Sequence, residues 1–154
     1  STLSKLRDRV GKIKPNIIGK KAPELKLINT SGEYASLHDV ESEYTLLYFW
    51  EPTCSHCKKL TPKIYNLYQD YSRNQLEVFA VYTQTDRQEW MKYLDNKGFD
   101  WINTYDPKYI SNFRKKYDVY STPTVYLLDD DKTIVAKRLG FESLKKMLEQ
   151  KIGN

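Results

Sequence analysis

The spacing of hydrophobic positions along the chain changes repeatedly between that of buried strands and that of amphipathic helices. Tyr44–Trp50 and Leu76–Tyr82 are almost wholly apolar or aromatic, which is typical of strands covered on both faces. The first of them favours the centre of a sheet. Between the two, Leu60, Ile64 and Leu67 recur at intervals that place them on one face of a helix. Strands that alternate with helices in this way are typical of α/β proteins.

Two further helices are predicted between the second long strand and Pro123. Asp86 and Gly98 are suited to be the N-cap and the C-terminal stop of one of them. Asp106 is followed by Pro107, a residue favoured at the first helical position. This pair predicts that the other helix begins here and runs to Tyr117.

The two ends of the chain carry smaller elements. A turn at residues 29–32 predicts a short hairpin, and a turn at residues 129–132 predicts a second hairpin that leads into a closing helix over residues 141–152. We therefore expect a central mixed β-sheet flanked by helices. We also expect a helical extension over residues 1–16 and one folded domain over residues 17–154.

Composition and charge narrow the class of protein. A chain of 154 residues with 40% hydrophobic residues is long enough for one globular core, and no apolar run is long enough for a membrane-spanning helix. The net charge of +5 lies in the first 21 residues, with seven basic residues and one acidic, whereas the remainder carries eighteen and nineteen. Because nucleic-acid binding needs a basic stripe on the folded body, we expect no nucleic-acid partner. No signal peptide is visible, and a start at Ser1 suits a trimmed or processed form.

Both cysteines of the chain lie in one short motif, Cys54-Ser55-His56-Cys57, where the first long strand gives way to a helix. Dithiol chemistry needs this position, because the free N–H groups and the positive end of the helix dipole favour the thiolate form of Cys54. A cationic His56 would lower the pKa of Cys54 further. Cys57, one turn into the helix, is then the resolving thiol that attacks a mixed disulfide. We take Cys54 and Cys57 as candidate catalytic residues and His56 as the candidate tuning residue.

Two alternatives use the same cysteines without redox turnover. A structural zinc ion needs about four ligands. His38 lies in a distant loop and His56 lies between the cysteines, so we expect no metal. A structural disulfide, or a pair of inert thiols, would not need a position at the junction of a strand and a helix.

Several features together resemble the thioredoxin-like family. Tyr48-Phe49-Trp50 ends a strand, Cys54-Ser55-His56-Cys57 opens a helix that contains Pro62, and Ser121-Thr122-Pro123 precedes the final hairpin. The resemblance implies a thioredoxin-like fold in which Pro123 is a cis-proline packed against the dithiol. It also implies that the backbone of Thr122 pairs with an extended substrate, and we assign Trp50 to substrate binding with these two residues.

The start of the domain indicates a branch of the family. Gly19-Lys20-Lys21-Ala22-Pro23 is similar to the start of the TlpA-type thiol-disulfide oxidoreductases and of the related alkyl hydroperoxide reductase and thiol-specific antioxidant group. The stretch before Pro123 is longer than thioredoxin needs. Its length fits the strand-helix insert of the TlpA type, here around residues 101–117.

Three positions depart from the family pattern. Tyr48 replaces the buried acid of thioredoxins, Leu60 replaces a glutamate common after the second cysteine, and Thr53 replaces the tryptophan that usually precedes the first. The acceptor of the proton from Cys57 is therefore left open between Glu51 and water. The family implies a reductant, whereas a cationic histidine beside the first cysteine favours a more oxidising couple.

The resemblance implies a thiol-disulfide oxidoreductase that needs no cofactor and exchanges electrons with protein thiols or disulfides and with a redox partner protein. It also implies a periplasmic or other cell-envelope location in a bacterium, and it leaves open a membrane tether outside the present sequence. A redox-inert thioredoxin-fold module that binds a partner around Trp50 and Pro123 is the alternative from another class. A peroxidase is the weaker enzyme alternative, because Glu51 stands where that group needs a threonine.

Overall fold

A computed structural model describes residues 15–153 of the chain, so most of the predicted N-terminal extension, with its helix, lies outside the described residues. The elements in order are β1 (Lys26–Asn29), β2 (Tyr34–Ser36), a short 3₁₀ helix (Leu37–Asp39), β3 (Tyr44–Trp50), α1 (Ser55–Gln69), β4 (Leu76–Tyr82), α2 (Arg87–Lys97), β5 (Ile102–Tyr105), α3 (Phe113–Lys116), β6 (Thr124–Leu128), β7 (Ile134–Lys137) and α4 (Phe141–Ile152). Within these residues no helix is both long and apolar enough to cross a bilayer.

The strands form one seven-stranded sheet in the order β2-β1-β5-β4-β3-β6-β7. β3, β4 and β5 run parallel and the other neighbours are antiparallel, so the sheet is mixed, as predicted. β4, rather than β3, is the middle strand, and β3 lies beside it. The loops after β3, β4 and β5 and the loop before β6 therefore meet at one end of the sheet.

The sheet is covered on both faces, and the alternation along β3 shows how. Leu46, Tyr48 and Trp50 belong to one buried cluster, to which α1, α2 and α4 contribute. Leu47 and Phe49 belong to the other, to which α3 and the segment around β1 contribute. Successive side chains of a strand point to opposite faces, so an almost wholly apolar strand needs cover on both.

The cap residues of α2 act as the sequence predicts. The carboxylate of Asp86 accepts a hydrogen bond from the N–H of Glu89 at 3.1 Å. Gly98 ends the helix with a φ of 69°, a left-handed conformation that a side chain disfavours. The closing helix α4 has the predicted bounds, and both predicted hairpins are present.

The helix predicted from Asp106 to Tyr117 is wrong over its first half. The carboxylate of Asp106 accepts hydrogen bonds from the N–H of Ile110 and from the N–H and hydroxyl of Ser111, and these bonds close a loop. Asn112, with a φ of 58°, interrupts any helix at this point. Only the short α3 remains helical, although β5 and α3 together form the strand-helix insert that the resemblance implied.

Candidate active site

Cys54 occupies the N-cap position of α1, where an oxygen-bearing side chain usually stands. Its sulfur accepts a hydrogen bond from the N–H of Cys57 at 3.3 Å, and its thiol donates to the carbonyl oxygen of Thr122 at 3.3 Å. Cys54 is half-buried, whereas Cys57 is only 1% exposed. A substrate can therefore reach the first sulfur but not the second.

The two thiols have opposite acid-base behaviour. Partial burial disfavours the charged form of Cys54, but hydrogen bonds from the side chains of Cys57 and Thr122 and from the N–H groups of Cys57 and His56 outweigh it, so the pKa of Cys54 is lowered. Burial, together with the hydrogen bond to Cys54, raises the pKa of Cys57 to about 12. The exposed thiol is thus the more acidic one, as a nucleophile requires.

The loop before β6 brings a second segment against the dithiol. The peptide bond between Thr122 and Pro123 is cis, as the resemblance implied. Both residues are half-buried, and the carbonyl of Thr122 contacts Cys54 across 68 residues of sequence. The antiparallel pairing of β6 with β3 explains this contact, because β6 starts at the end of the sheet where β3 stops.

A chain of hydroxyl groups holds the backbone of Cys57. The hydroxyl of Thr61 donates to the carbonyl oxygen of Cys57 at 2.7 Å, and the hydroxyl of Tyr48 lies 2.7 Å from the Thr61 oxygen. Because a threonine hydroxyl carries one proton, Tyr48 must be the donor to Thr61. Burial raises the pKa of Tyr48 far above its usual value, so this hydroxyl keeps its proton. A neutral donor therefore occupies the position of the buried acid of thioredoxins.

His56 lies on the protein surface, whereas Trp50 lies in the interior. His56 is exposed on α1, and its N–H is one of the groups that lower the pKa of Cys54. Trp50 is fully buried, where its ring packs against Tyr82 and Tyr93. As placed, Trp50 supports the site from below and has no surface with which to touch a substrate.

Within residues 15–153, no further potential zinc ligands come together with the two cysteines. Among the described residues, the group of three or more potential ligands close enough for one ion is Asp129, Asp130 and Asp131, in the turn of the second hairpin. His38 is engaged elsewhere, with Nε2 2.6 Å from the carbonyl oxygen of Ala22. The arrangement at Cys54 and Cys57 is that of a dithiol.

The carboxylate of Glu51, a candidate for the acceptor of the Cys57 proton, is hydrogen-bonded to a neighbouring side chain. This carboxylate accepts a hydrogen bond from the hydroxyl of Thr53 at 3.1 Å. The part of Glu51 that acts on Cys57 is its backbone, which lowers the pKa of the thiol against the dominant effect of burial.

Two parts of the site were not predicted from the sequence. Thr61 stands four residues after Cys57, the spacing at which a threonine in a helix bonds back to a carbonyl, and this signal was available. The second part is a groove beside the dithiol, between α1 and the start of α4, which are far apart in sequence. Its lining includes His56 and Lys59 on one side and Leu139 and Phe141 on the other. No local pattern could have indicated it.

Comparison with known proteins agrees with this geometry. A family model described as thioredoxin-like matches residues 42–134. The thioredoxin-like protein YneN of Bacillus subtilis is 33% identical over 140 residues, which cover 87% of this chain and 78% of that protein. The thiol-disulfide oxidoreductase ResA of Bacillus cereus is 30% identical over 138 residues, which cover 86% and 75%.

A solved structure from Cytophaga hutchinsonii, described as a domain of a possible thiol-disulfide isomerase, superposes with a TM-score of 0.82. Its sequence is 39% identical, and the match covers 88% of this chain and 93% of that one. The chain therefore belongs to the thioredoxin-like family. Its relatives place it among the thiol-disulfide oxidoreductases of the TlpA and ResA type.

Proposed function

We propose that Cys54 and Cys57 are the redox pair of this oxidoreductase, with Cys54 as the nucleophile. The observation that carries the proposal is the asymmetry at the start of α1, where the reachable sulfur has a lowered pKa and the buried one a raised pKa. Attack by a thiolate is the productive step of thiol-disulfide exchange, so the accessible and more acidic thiol attacks first.

In the first step the thiolate of Cys54 attacks one sulfur of a substrate disulfide. A Cys54–substrate bond forms, the substrate S–S bond breaks, and the second substrate sulfur leaves as a thiolate that takes a proton. Cys57 then loses its proton and attacks the sulfur of Cys54, so that a Cys54–Cys57 disulfide forms and the Cys54–substrate bond breaks. The freed substrate sulfur leaves as a thiolate that takes the second proton. The substrate gains two electrons and two protons, and the same steps in reverse oxidise a substrate dithiol. A redox partner protein restores the starting state of the pair after each turnover.

Thr122 and Pro123 are the substrate-contacting residues in this proposal. The carbonyl of Thr122 lies 3.3 Å from the sulfur of Cys54, so a peptide joined to that sulfur lies next to this loop. We assign Trp50 a supporting role beneath the site, because its side chain is buried. His56 tunes Cys54 through its backbone N–H and, when protonated, through its side-chain charge.

Trapping of the mixed disulfide tests the assignment. A Cys57→Ser variant mixed with a disulfide-containing peptide accumulates a covalent adduct at Cys54, which intact mass spectrometry and peptide mapping identify. The matched Cys54→Ser variant accumulates none, because its remaining thiol is buried. An adduct at Cys57 in the second variant, or no adduct in the first, would contradict the proposed roles.

We also propose that the protein works outside the cytoplasm, in the cell envelope of a bacterium, as the TlpA-type resemblance implies. A reagent that modifies thiols but does not cross membranes tests this location in intact cells. Labelling of Cys54 before lysis is the expected result, and labelling only after lysis would contradict it.

A further inference from the structure

The groove beside the dithiol encloses about 310 Å³ and begins at Pro123, the residue that follows the contact with Cys54. Its apolar lining includes Leu60, Leu139 and Phe141. Leu60 belongs to α1, Leu139 to the connection after β7 and Phe141 to the start of α4, so the groove runs away from the dithiol between α1 and the start of α4.

Two lysines give the α1 side of the groove a positive charge, and a histidine lies in line with them. His56, Lys59 and Lys63 follow one face of α1 at intervals of three and four residues, and all three are exposed. The ammonium group of Lys63 lies 5.8 Å from the ring centroid of Phe141, a cation–π distance that places the charge over the groove. None of the described residues that line this groove carries a carboxylate.

The positive charge is local and is not explained by helix stability. α1 contains no Asp or Glu, although residues 22–154 together carry slightly more acidic than basic residues. Basic residues near a helix N-terminus oppose the helix dipole and weaken the helix. Lys59 and Lys63 lie beyond the first turn of α1, where this effect has fallen off, so helix stability does not require their charge.

We propose that this groove selects substrate polypeptides that carry acidic residues close to the reactive cysteine and dock there in an extended conformation. The inference rests on the function proposed above, in which a substrate joins Cys54 along the Thr122–Pro123 loop. Positive charges along the groove attract a negatively charged segment of the substrate and repel a positively charged one. The apolar lining of the groove accepts the substrate side chains that point the other way.

The geometry also predicts where the acidic residues stand. Lys59 and Lys63 follow Cys54 by five and nine residues, which is roughly 7.5 and 13.5 Å along a helix axis. An extended peptide advances about 3.3 Å per residue. The two lysines therefore face substrate positions about two and four residues from the attacked cysteine.

Three synthetic peptides test the proposal. Each carries one cysteine in a mixed disulfide with 2-mercaptoethanol, and they differ only in having Glu, Gln or Lys at the positions two and four residues from it. We expect the reduced protein to react with the Glu peptide roughly tenfold faster than with the Lys peptide at low ionic strength, with the Gln peptide between them. The ratio should fall toward one as salt is added.

Two charge-matched variants locate the effect. Lys59→Gln/Lys63→Gln should lose most of the preference, while its rate with an uncharged small disulfide shows that Cys54 is still reactive. Lys26→Gln/Lys92→Gln removes the same charge from exposed positions on β1 and α2, outside the groove, and should keep the preference.

Equal rates with the three peptides, or an equal loss of preference in the two variants, would overturn the groove proposal and leave the dithiol function intact. Failure of the wild-type protein to react with any of the peptides or with the small disulfide would instead overturn the proposed function, and the groove proposal with it.

Discussion

Helices α1 and α2 both begin after an extended residue whose side chain accepts a hydrogen bond from the N–H group three residues later. In α2 the acceptor is the carboxylate of Asp86, and the donor Glu89 adds a negative charge to the first turn. In α1 the acceptor is the sulfur of Cys54, the donor is Cys57, and no acidic residue is present in the first turn.

This difference between the two first turns separates the features that stabilise a helix from those that activate a side chain at its start. The start of α2 places negative charge against the positive end of the dipole, which is the stabilising arrangement. At the start of α1 the same N–H groups and the same dipole act on a thiol, so their effect is to lower the pKa of Cys54. One backbone geometry therefore serves as an ordinary cap in one helix and activates a nucleophile in the other.

Replacement of Cys54 by serine should convert the start of α1 into an ordinary cap and has the largest expected effect. The serine hydroxyl can accept from the N–H of Cys57 and donate to the carbonyl of Thr122, so the free energy of unfolding should stay within about 1 kcal/mol of wild type. The rate of disulfide exchange should fall by more than about a thousandfold, as loss of a covalent nucleophile does. Urea denaturation and an exchange assay measure the two quantities. Partial retention of exchange would contradict the role of the sulfur.

The next largest effect is expected at Cys57, as a pH dependence of the rate at which it releases the substrate. Because burial raises the pKa of Cys57, its thiolate fraction increases about tenfold per pH unit below that pKa. Release of substrate from a preformed mixed disulfide should therefore accelerate about tenfold per unit between about pH 6 and 9, provided that water takes the proton. Rapid-mixing kinetics measure this step. A rate that does not change with pH would show instead that a protein group such as Glu51 accepts the proton.

Removal of the Asp86 cap should lower stability and leave activity almost unchanged, which is the reverse of the result expected at Cys54. Asp86→Ala should lower the free energy of unfolding by about 1 kcal/mol, because the N–H of Glu89 loses its partner. Exchange activity should remain within about twofold of wild type, and Asp86→Ser should restore most of the stability. A larger loss of activity than of stability would mean that the two helix starts are coupled.

The smallest effect is expected at His56. Its N–H group acts on Cys54, and an alanine at this position supplies the same N–H. His56→Ala should therefore slow the reaction of Cys54 at pH 7 by no more than about fivefold, the range of an exposed charge–charge interaction. Alkylation rates of the two proteins measure the change. A much larger decrease would show that the imidazole, rather than the backbone, activates the thiol.

Much of the fold follows from local signals. The caps Asp86 and Gly98, the hairpin turns and the stripe along α4 all act within a few residues, so the sequence pattern was sufficient for them. The pair Asp106-Pro107 was misleading because an aspartate that caps a helix can equally close a loop. Its carboxylate found the N–H groups of Ile110 and Ser111, with Asn112 in a left-handed conformation.

The site was predictable as far as its parts are adjacent in sequence. The dithiol and its position before α1 follow from the motif, whereas the approach of Thr122 was implied by the family resemblance and not by any spacing. The substrate-binding role assigned to Trp50 overlooked its own strand pattern, since the last residue of a strand buried on both faces is itself buried. The hydroxyl chain from Tyr48 through Thr61 depends on packing between a strand and a helix, which local periodicity does not reveal.

The pH dependence of alkylation at each cysteine of the reduced protein tests the central claim most directly. Mass spectrometry resolves modification at Cys54 from modification at Cys57 in one sample, so each thiol serves as the control for the other. Cys54 should become reactive at a lower pH than an unperturbed cysteine does, because hydrogen bonds to its sulfur lower its pKa. Cys57 should stay unmodified until the solution is far more alkaline. A Cys54 that titrates at or above the pKa of an unperturbed cysteine, or two thiols that titrate together, would contradict the account.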